Sequence, residues 1–395
     1  MSVHSNKPQL TLLSTLMPYP PLAAGAVHVM DVIRQLTRFY GVRLHTMTDT
    51  AESIRWGPLA EWCEETNAWK RGPVHSFAVD PPAVQLAYSA ALVEYLRNAW
   101  ATDQPDIVQL EWTDMAQYAA LARHTGALVV CTAHTLGTLS QIRRARMERN
   151  RRVRLRRWLG AMSLWMYEAR ALRHCHLIVS LGTADTAVLR RWLPRTQIVH
   201  IPSGIDLIRW RPVLDEATED RVLFVGNYLH PPNLEGGMWL AREVWPLVRR
   251  VYPKARLILA GRTPPPALQA LAAADIEVPG TVDDLHPLYA RASVVVSPIF
   301  WGSGIRFKLL EAFACGLPVV TTAMAAEGIP LQEGHNALFA ERPQEFAAAI
   351  VRLLENPPLR RQIGAAARAL VERDYDWDRI GERLHTIYED ARSRL

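Results

Sequence analysis

Residues 298–322, PIFWGSGIRFKLLEAFACGLPVVTT, constrain the fold more than any other stretch of this chain. The apolar run before them, Val294 to Ser297, reads as a buried strand that stops at Pro298. A glycine-bearing loop follows, Gly302-Ser303-Gly304, and a helix is predicted from near Arg306. Gly316 and Pro318 end that helix, and a second β-branched strand runs from Val319 to Thr322. Strand, glycine loop, helix, strand is the unit of a parallel sheet covered by helices. Unpaired amides and the positive end of the helix face the loop, an arrangement that suits an anion, above all a phosphate.

The same alternation runs through the whole chain. Strands are predicted at Leu10–Thr15, Val42–Met47, Val74–Val79, Ile107–Leu110, Leu128–Thr132, Leu177–Ser180 and Ile198–Ile201, then at Val222–Val225, Leu257–Ala260, Ile276–Val278, Val294–Ser297 and Val319–Thr321. Helices are predicted at Val27–Phe39, Val84–Trp100, Met115–His124, in one long stretch ending near Leu172, and at Leu234–Val251, Leu285–Ala290, Phe307–Ala314 and Phe346–Glu355. A chain of 395 residues exceeds one ordinary core. A Pro-containing, polar, acidic seam, PSGIDLIRWRPVLDEATED, follows Ile201. The expectation is an α/β protein of two Rossmann-like doubly wound domains facing a cleft. Residues 1–205 form the first, 206–376 the second, and the helix 377–395 crosses back to the first. A ligand in such a protein binds at the carboxyl ends of the strands.

Composition is that of a soluble globular protein, 49% hydrophobic and 21% charged. No apolar run is long enough to span a bilayer, and the start, MSVHSNKPQL, has no signal core, so a cytoplasmic location is expected. Cys63, Cys131, Cys175 and Cys315 are scattered without metal-ligand spacing and read as reduced core residues. The formal charge of +6 is local in origin: residues 143–157, RRARMERNRRVRLRR, hold nine arginines and one glutamate, which leaves −2 for the remainder. This stretch runs on into LGAMSLWMYEARAL, so residues 143–167 join a basic run to Trp158, Leu164, Trp165 and Tyr167. That combination fits an interfacial helix on an anionic membrane surface. It also fits a solvated helix face. Nucleic acid is the weakest of the three readings, since no reader motif accompanies the arginines. Trp56, Trp62 and Trp69 fall in a region that reads as loop.

The motifs together resemble the group-1 (family 4) retaining glycosyltransferases of the GT-B fold, in the subgroup with Gly-Ser-Gly-x-Arg-x-Lys. The resemblance rests on Gly25, His134, Ile201-Pro202-Ser203-Gly204-Ile205-Asp206, Phe224-Val225-Gly226, Leu259-Ala260-Gly261, Pro279 to Leu285 and the 298–322 block. In that family two glutamates eight positions apart face a sugar nucleotide. The second corresponds to Glu311, whose carboxylate would accept hydrogen bonds from ribose hydroxyls; at the first stands Ser303, a departure. Amides around Gly304, Ile305 and Arg306 would meet the sugar and diphosphate. The family's Arg and Lys after the first strand of the second domain are missing from the Gly226–Asn233 loop, where His230 is the one titratable base. Arg306 and Lys308 are therefore expected to neutralise the leaving diphosphate, and Asn233 reads mainly as a helix N-cap. Gly226, Thr281 and Val282 would border the donor, the last two beside the base.

By the same resemblance Gly25 would approach the diphosphate, and His134 the 6-hydroxyl of the donor hexose. Glu111 and Trp112 either face the acceptor or, in the case of Glu111, cap the following helix. Simple turns at Gly25 and a backbone-bonded loop histidine at His134 would give the same residues. Gly204 and Asp206 read as turn residues. Asp283-Asp284 reads as a helix cap, so neither metal nor cofactor is expected. The resemblance implies hexosyl transfer, with retention, from a nucleoside diphosphate sugar to a hydroxyl of a glycan or lipid-linked acceptor. Peripheral contact with the inner face of a membrane is the expectation only under the interfacial reading of residues 143–167. A nucleotide-sugar epimerase and a catalytically silent scaffold binding membrane or nucleic acid are the alternatives.

Overall fold

The structure is a computed structural model that describes residues 7–21, 23–75, 80–212, 220–302 and 307–395. The chain divides into two compact units. Unit 1 comprises Met1–Gly204 with Trp377–Leu395, and unit 2 is Ile205–Asp376.

Unit 1 is built on seven strands: β1 (Gln9–Ser14), β2 (Gly41–Thr48), β3 (Glu65–Lys70), β4 (Ile107–Glu111), β5 (Leu128–Ala133), β6 (Leu177–Ser180) and β7 (Gln197–His200). They lie in the order β3-β2-β1-β4-β5-β6-β7, all pairs parallel. This is the doubly wound order with one added strand. Alternate residues divide between two cores, as the two-residue period of a strand requires. Leu13, Val108, Leu110, Val129 and Cys131 pack on one face. Leu12, Ile107, Leu128, Val130 and Val179 pack on the other. The second core is completed by the Trp377–Arg392 helix, which buries Trp377, Ile380, Leu384, Tyr388 and Ala391 along one stripe. Tyr388 Oη donates to Gln109 Oε1 at 3.0 Å.

The third strand of the sheet lies ahead of the predicted Val74–Val79. It is β3, and residues 71–75 are irregular with Val74 48% exposed; Ser76 to Val79 lie outside the described residues. β3 reads ETNAWK, partly buried from Glu65 to Trp69 and exposed at Lys70, so it carries no apolar run to mark it. Trp69 therefore sits in a strand, its indole donating to His45 Nδ1 at 3.3 Å, and Trp62 ends a short helix, Leu59–Trp62. The predicted long helix is two, Gly137–Met147 and Arg151–Leu172. Asn150 caps the second by accepting from the Arg152 and Val153 amides at 3.0 and 3.3 Å. Val84–Trp100 is likewise split, into Pro82–Leu86 and Ala90–Thr102.

Unit 2 repeats the plan with β8 (Arg221–Val225), β9 (Arg256–Ala260), β10 (Ile276–Gly280), β11 (Val294–Ser297), β12 (Val319–Thr321) and the two-residue β13 (Leu338–Phe339), in the order β10-β9-β8-β11-β12-β13. Val222, Phe224, Leu257, Leu259, Val294 and Val296 line one core, and Leu223, Val225, Ile258 and Val295 the other. Where one helix was predicted over Leu234–Val251, helix Pro231–Trp239 passes through a π turn, Leu240–Val244, into Trp245–Val251. Pro246 has no amide to donate, and the wider turn accommodates it. The four cysteines are buried free thiols.

Gly236 lets the Pro231–Trp239 helix rest on the end of β11: a Cβ there would overlap the Pro298 carbonyl oxygen. Alanine gains about 1 kcal/mol of helix propensity over glycine, yet overpacking costs about 1–3 kcal/mol, and a backbone oxygen cannot step aside. Gly236→Ala should therefore lower the stability of unit 2 in denaturant unfolding. An increase would show that the helix is not seated on Pro298.

Candidate functional site

In unit 1 the polar residues gather at the carboxyl ends of β4 and β5. Register pairs Glu111 with Thr132. Glu111 is fully buried, and its carboxylate accepts from Gln109 Nε2 (2.5 Å), Thr132 Oγ1 (3.0 Å) and His134 Nε2 (2.6 Å). Burial alone would raise its pKa. The hydrogen bond and charge of His134, with His28 and Gln109, overcome that and hold it below the ordinary carboxylate range. An ionised carboxylate only accepts, so His134 carries its proton on Nε2, and Nδ1 is left to meet another group.

Two rings fix the His134 imidazole. Trp112 stacks on it at 4.0 Å and 17°, and His28 meets it edge-on at 4.7 Å. Trp112 has φ +73°, a conformation a bulky residue adopts only when its surroundings impose it. Its indole fills the space over Gly25, where a Cβ would come within 2.5 Å of Trp112 Cζ2. Gly25 is thus in the first turn of helix Ala24–Leu36, which has no side-chain cap, and the missing side chain makes room for Trp112. His28 is buried and joined through Nδ1 to Ser203 Oγ at 2.8 Å. Burial, with the charge of His134, lowers its pKa to about 3, against the pull of Glu111. Gly204 leaves space for Trp377, whose Cδ2 would lie 2.6 Å from a Cβ.

Among the described residues, Glu111 accepts from no backbone amide of the turn that follows it. It is the buried partner of His134. A carboxylate does hold the start of a different helix, Gly137–Met147: that of Glu168, on helix Arg151–Leu172, which sequence reading passed over. Its carboxylate accepts from the Gly137 amide (2.8 Å), the Thr138 amide (3.3 Å) and the hydroxyls of Thr138 (2.6 Å) and Thr113 (3.1 Å). This holds the start of helix Gly137–Met147 and, with it, the loop from His134. Among the described residues, His28, Glu111 and His134 form the one group with ligand atoms close enough to share a metal ion, all within 4.8 Å. Glu111 already accepts three hydrogen bonds, so its charge is compensated without a cation.

In unit 2 the carboxyl ends of β8, β9 and β10 each carry a glycine: Gly226, Gly261 and Gly280. Gly226 N–H donates to Ala260 O, and Gly261 N–H to Gly280 O. Gly261 (φ +137°) and Gly280 (φ +78°) occupy backbone conformations that need glycine, and a Cβ on Gly261 would overlap Gly226. Thr281 and Val282 follow β10, the first exposed and the second partly so. Lys308, in helix Phe307–Ala314, donates to Asn233 Oδ1 at 2.8 Å and lies 4.3 Å over the Phe224 ring. Asn233 is the third residue of its helix, not the N-cap; its amide also donates to Asn227 O at 2.9 Å. Tyr289 Oη donates to Glu311 Oε2 at 2.8 Å. Burial raises the Glu311 pKa, opposed by that bond and by Arg209 and Lys308. Ser303, Gly304, Ile305 and Arg306 lie outside the described residues.

Asp114 belongs to the short 3-10 helix Thr113–Tyr118 that follows Trp112. Its Oδ1 is buried with no hydrogen-bond partner. Burial pushes its carboxyl up to about 7, against Thr15, the Met115 amide and Arg71. A raised folded-state pKa gives a contribution to stability that is full below the ordinary value of 3.8 and lost as pH rises through about 7. Asp114→Asn should remove this slope. Urea unfolding of variant and parent across that window should show the difference moving in the variant's favour as pH rises. A constant difference would contradict a buried, protonated Asp114.

Two family descriptions match the chain. Glycosyltransferase Family 4 matches residues 25–209, and Glycosyl transferases group 1 matches residues 219–356. A phosphatidyl-myo-inositol mannosyltransferase from Mycobacterium leprae is 29% identical over 230 residues, which cover 55% of this chain and 60% of that protein. The chain spans about half the length of the curated relatives it matches. Among solved structures, sucrose-phosphate synthase from Thermosynechococcus elongatus superposes with a TM-score of 0.76 at 20% identity, covering 98% of this chain and 100% of that one. Anabaena HepE in complex with UDP-glucose superposes with a TM-score of 0.68 at 15% identity, covering 98% and 100%. The order of both sheets and these likenesses establish the fold as GT-B, and the chain belongs to the group-1 glycosyltransferases.

Proposed function

We propose that this protein transfers a hexosyl group from a nucleoside diphosphate sugar to a hydroxyl of a glycan or lipid-linked acceptor, with retention at the anomeric carbon. The observation that carries the reading is the pair of anchored side chains at the donor end of unit 2: Lys308 held by Asn233 and Phe224, and Glu311 held by Tyr289. Lys308 meets the diphosphate, and Glu311 accepts from the ribose hydroxyls. The part of Arg306 beside Lys308 rests on the sequence. The mannosyltransferase relative and the UDP-glucose complex of HepE support a sugar nucleotide as donor.

In unit 1, His134 presents Nδ1 to a hydroxyl of the hexose, because Glu111 occupies Nε2. The bond from the anomeric carbon to the diphosphate oxygen breaks and its electron pair stays with the diphosphate. The acceptor oxygen bonds the same carbon from the same face, and its proton passes to the departing phosphate oxygen. Charge develops on the diphosphate, where a fixed cation helps most. The reading assigns no metal or cofactor, since Lys308 and the loop amides supply that stabilisation.

A panel of nucleoside diphosphate sugars, followed by thermal stabilisation and slow hydrolysis, identifies the donor. With that donor, Lys308→Met should lower turnover about 100-fold. Glu311→Gln, which keeps the Tyr289 contact, should weaken donor binding about tenfold. Unchanged binding and turnover in both variants would remove the assignment.

The acceptor side of the reading includes an anionic membrane surface. Helix Arg151–Leu172 leaves Leu155, Trp158, Leu159, Met162, Trp165 and Met166 exposed among its arginines. Among the described residues, no helix is long and apolar enough to cross a membrane, so contact would be peripheral. Vesicles containing phosphatidylglycerol should sediment the protein at low salt. Joint replacement of Arg151, Arg152 and Arg154 by glutamine should abolish this; binding that survives would sink the membrane role.

A further inference from the structure

Unit 1 also carries a cleft at the opposite end of its strands from Glu111 and His134. The cleft, of about 620 Å³, is lined by Arg123, Arg173, His176, Trp192, Arg195 and Arg394, with smaller neighbours. Arg123 precedes β5, His176 immediately precedes β6, and Arg195 precedes β7. The cleft is thus at the amino ends of these strands, whereas Glu111 and His134 stand at carboxyl ends. Its size suits a small molecule.

The lining is cationic, and no Asp or Glu side chain contributes to it. Arg394 is paired with Asp390 at 2.7 Å. Arg123, Arg173 and Arg195 have no carboxylate partner among the described residues. The Val129 amide donates to His176 Nδ1 at 3.0 Å, so the neutral ring carries its proton on Nε2. That nitrogen faces the Arg123 guanidinium, which can only donate. His176 and Arg123 thus stand together at the wall of an arginine-lined cleft. Desolvation and Arg123 lower the His176 pKa accordingly. Trp192, edge-on to Trp165 at 6.4 Å, gives the cleft one apolar wall.

We infer that this cleft binds a small phosphorylated or pyrophosphorylated ligand, its anionic head held by Arg123, Arg173, Arg195 and His176 and its remainder against Trp192. Arginine is suited to this because its planar fork matches phosphate oxygens. The phosphate has two sources, a soluble metabolite or a lipid headgroup, since Trp165 belongs to the exposed face of helix Arg151–Leu172.

The test follows the His176 ring by NMR in histidine-labelled full-length protein. Inorganic pyrophosphate is one arm, and vesicles bearing phosphatidic acid are the other. An anion in the cleft should raise the His176 pKa. Arg195→Gln, at an exposed residue, should weaken the response about tenfold, the loss of one charge-assisted contact, and Arg123→Gln/Arg195→Gln should abolish it. Lys308→Met should leave it intact, which separates this cleft from any diphosphate site in unit 2. A response to pyrophosphate assigns a soluble ligand, and one to vesicles alone assigns a headgroup. No response in either arm, or one that persists in the double variant, overturns the inference.

Discussion

A carboxylate buried in the middle of a sheet is the constraint around which unit 1 is arranged. Leaving such a charge without donors costs several kcal/mol, so every group that reaches Glu111 is obligatory in the same sense. Gln109 comes from its own strand, Thr132 from the strand paired with it, and His134 from the loop beyond. Strand register sets the first two, and the third fixes the imidazole. With the imidazole fixed, the stacking indole of Trp112 has one place to go, and the helix start at Gly25 must leave room for it. A strained backbone at Trp112 is held by these neighbours. Glu168 applies the same logic a turn away, where a second buried carboxylate satisfies the first amides of a helix.

Unit 2 solves a different problem. It brings backbone, not charge, to the ends of its strands. Gly226, Gly261 and Gly280 allow three adjacent chains to touch, and Gly236 allows a helix to rest on a carbonyl. Two charged groups there, Lys308 and Glu311, are held by Asn233 and Tyr289 and reach the surface only in part.

The sheets were legible because strands buried on both faces are short unbroken apolar runs. β3 escaped notice because an edge strand with Glu65, Thr66 and Asn67 has no such run. The break at Asn150 was hidden inside a run of arginines that favours helix on both sides. At the candidate site, position was readable and partnership was not. His134 and Glu111 each end a strand, but their contact depends on register. His28 meets Ser203 from 175 positions away, so no local pattern announces it. Glu168 looked like one polar residue on a long helix. Asn233 looked like a cap because the turn before it is rich in proline, and those prolines in fact begin the helix two residues earlier.

The chain leaves unit 1 after Gly204 and rejoins it after Asp376. The core that Trp377, Ile380, Leu384 and Tyr388 share with β1, β2 and β4 is therefore assembled from opposite ends of the polypeptide. On the ribosome, the seven strands of unit 1 emerge first, and helix Ala24–Leu36 covers part of this face, but the remainder of the cover is missing until all of unit 2 has been made. Unit 2, being continuous, closes earlier. The order of completion reverses the order of translation, and the nascent protein carries a partly uncovered apolar sheet face for the time it takes to synthesise 172 residues, Ile205 to Asp376.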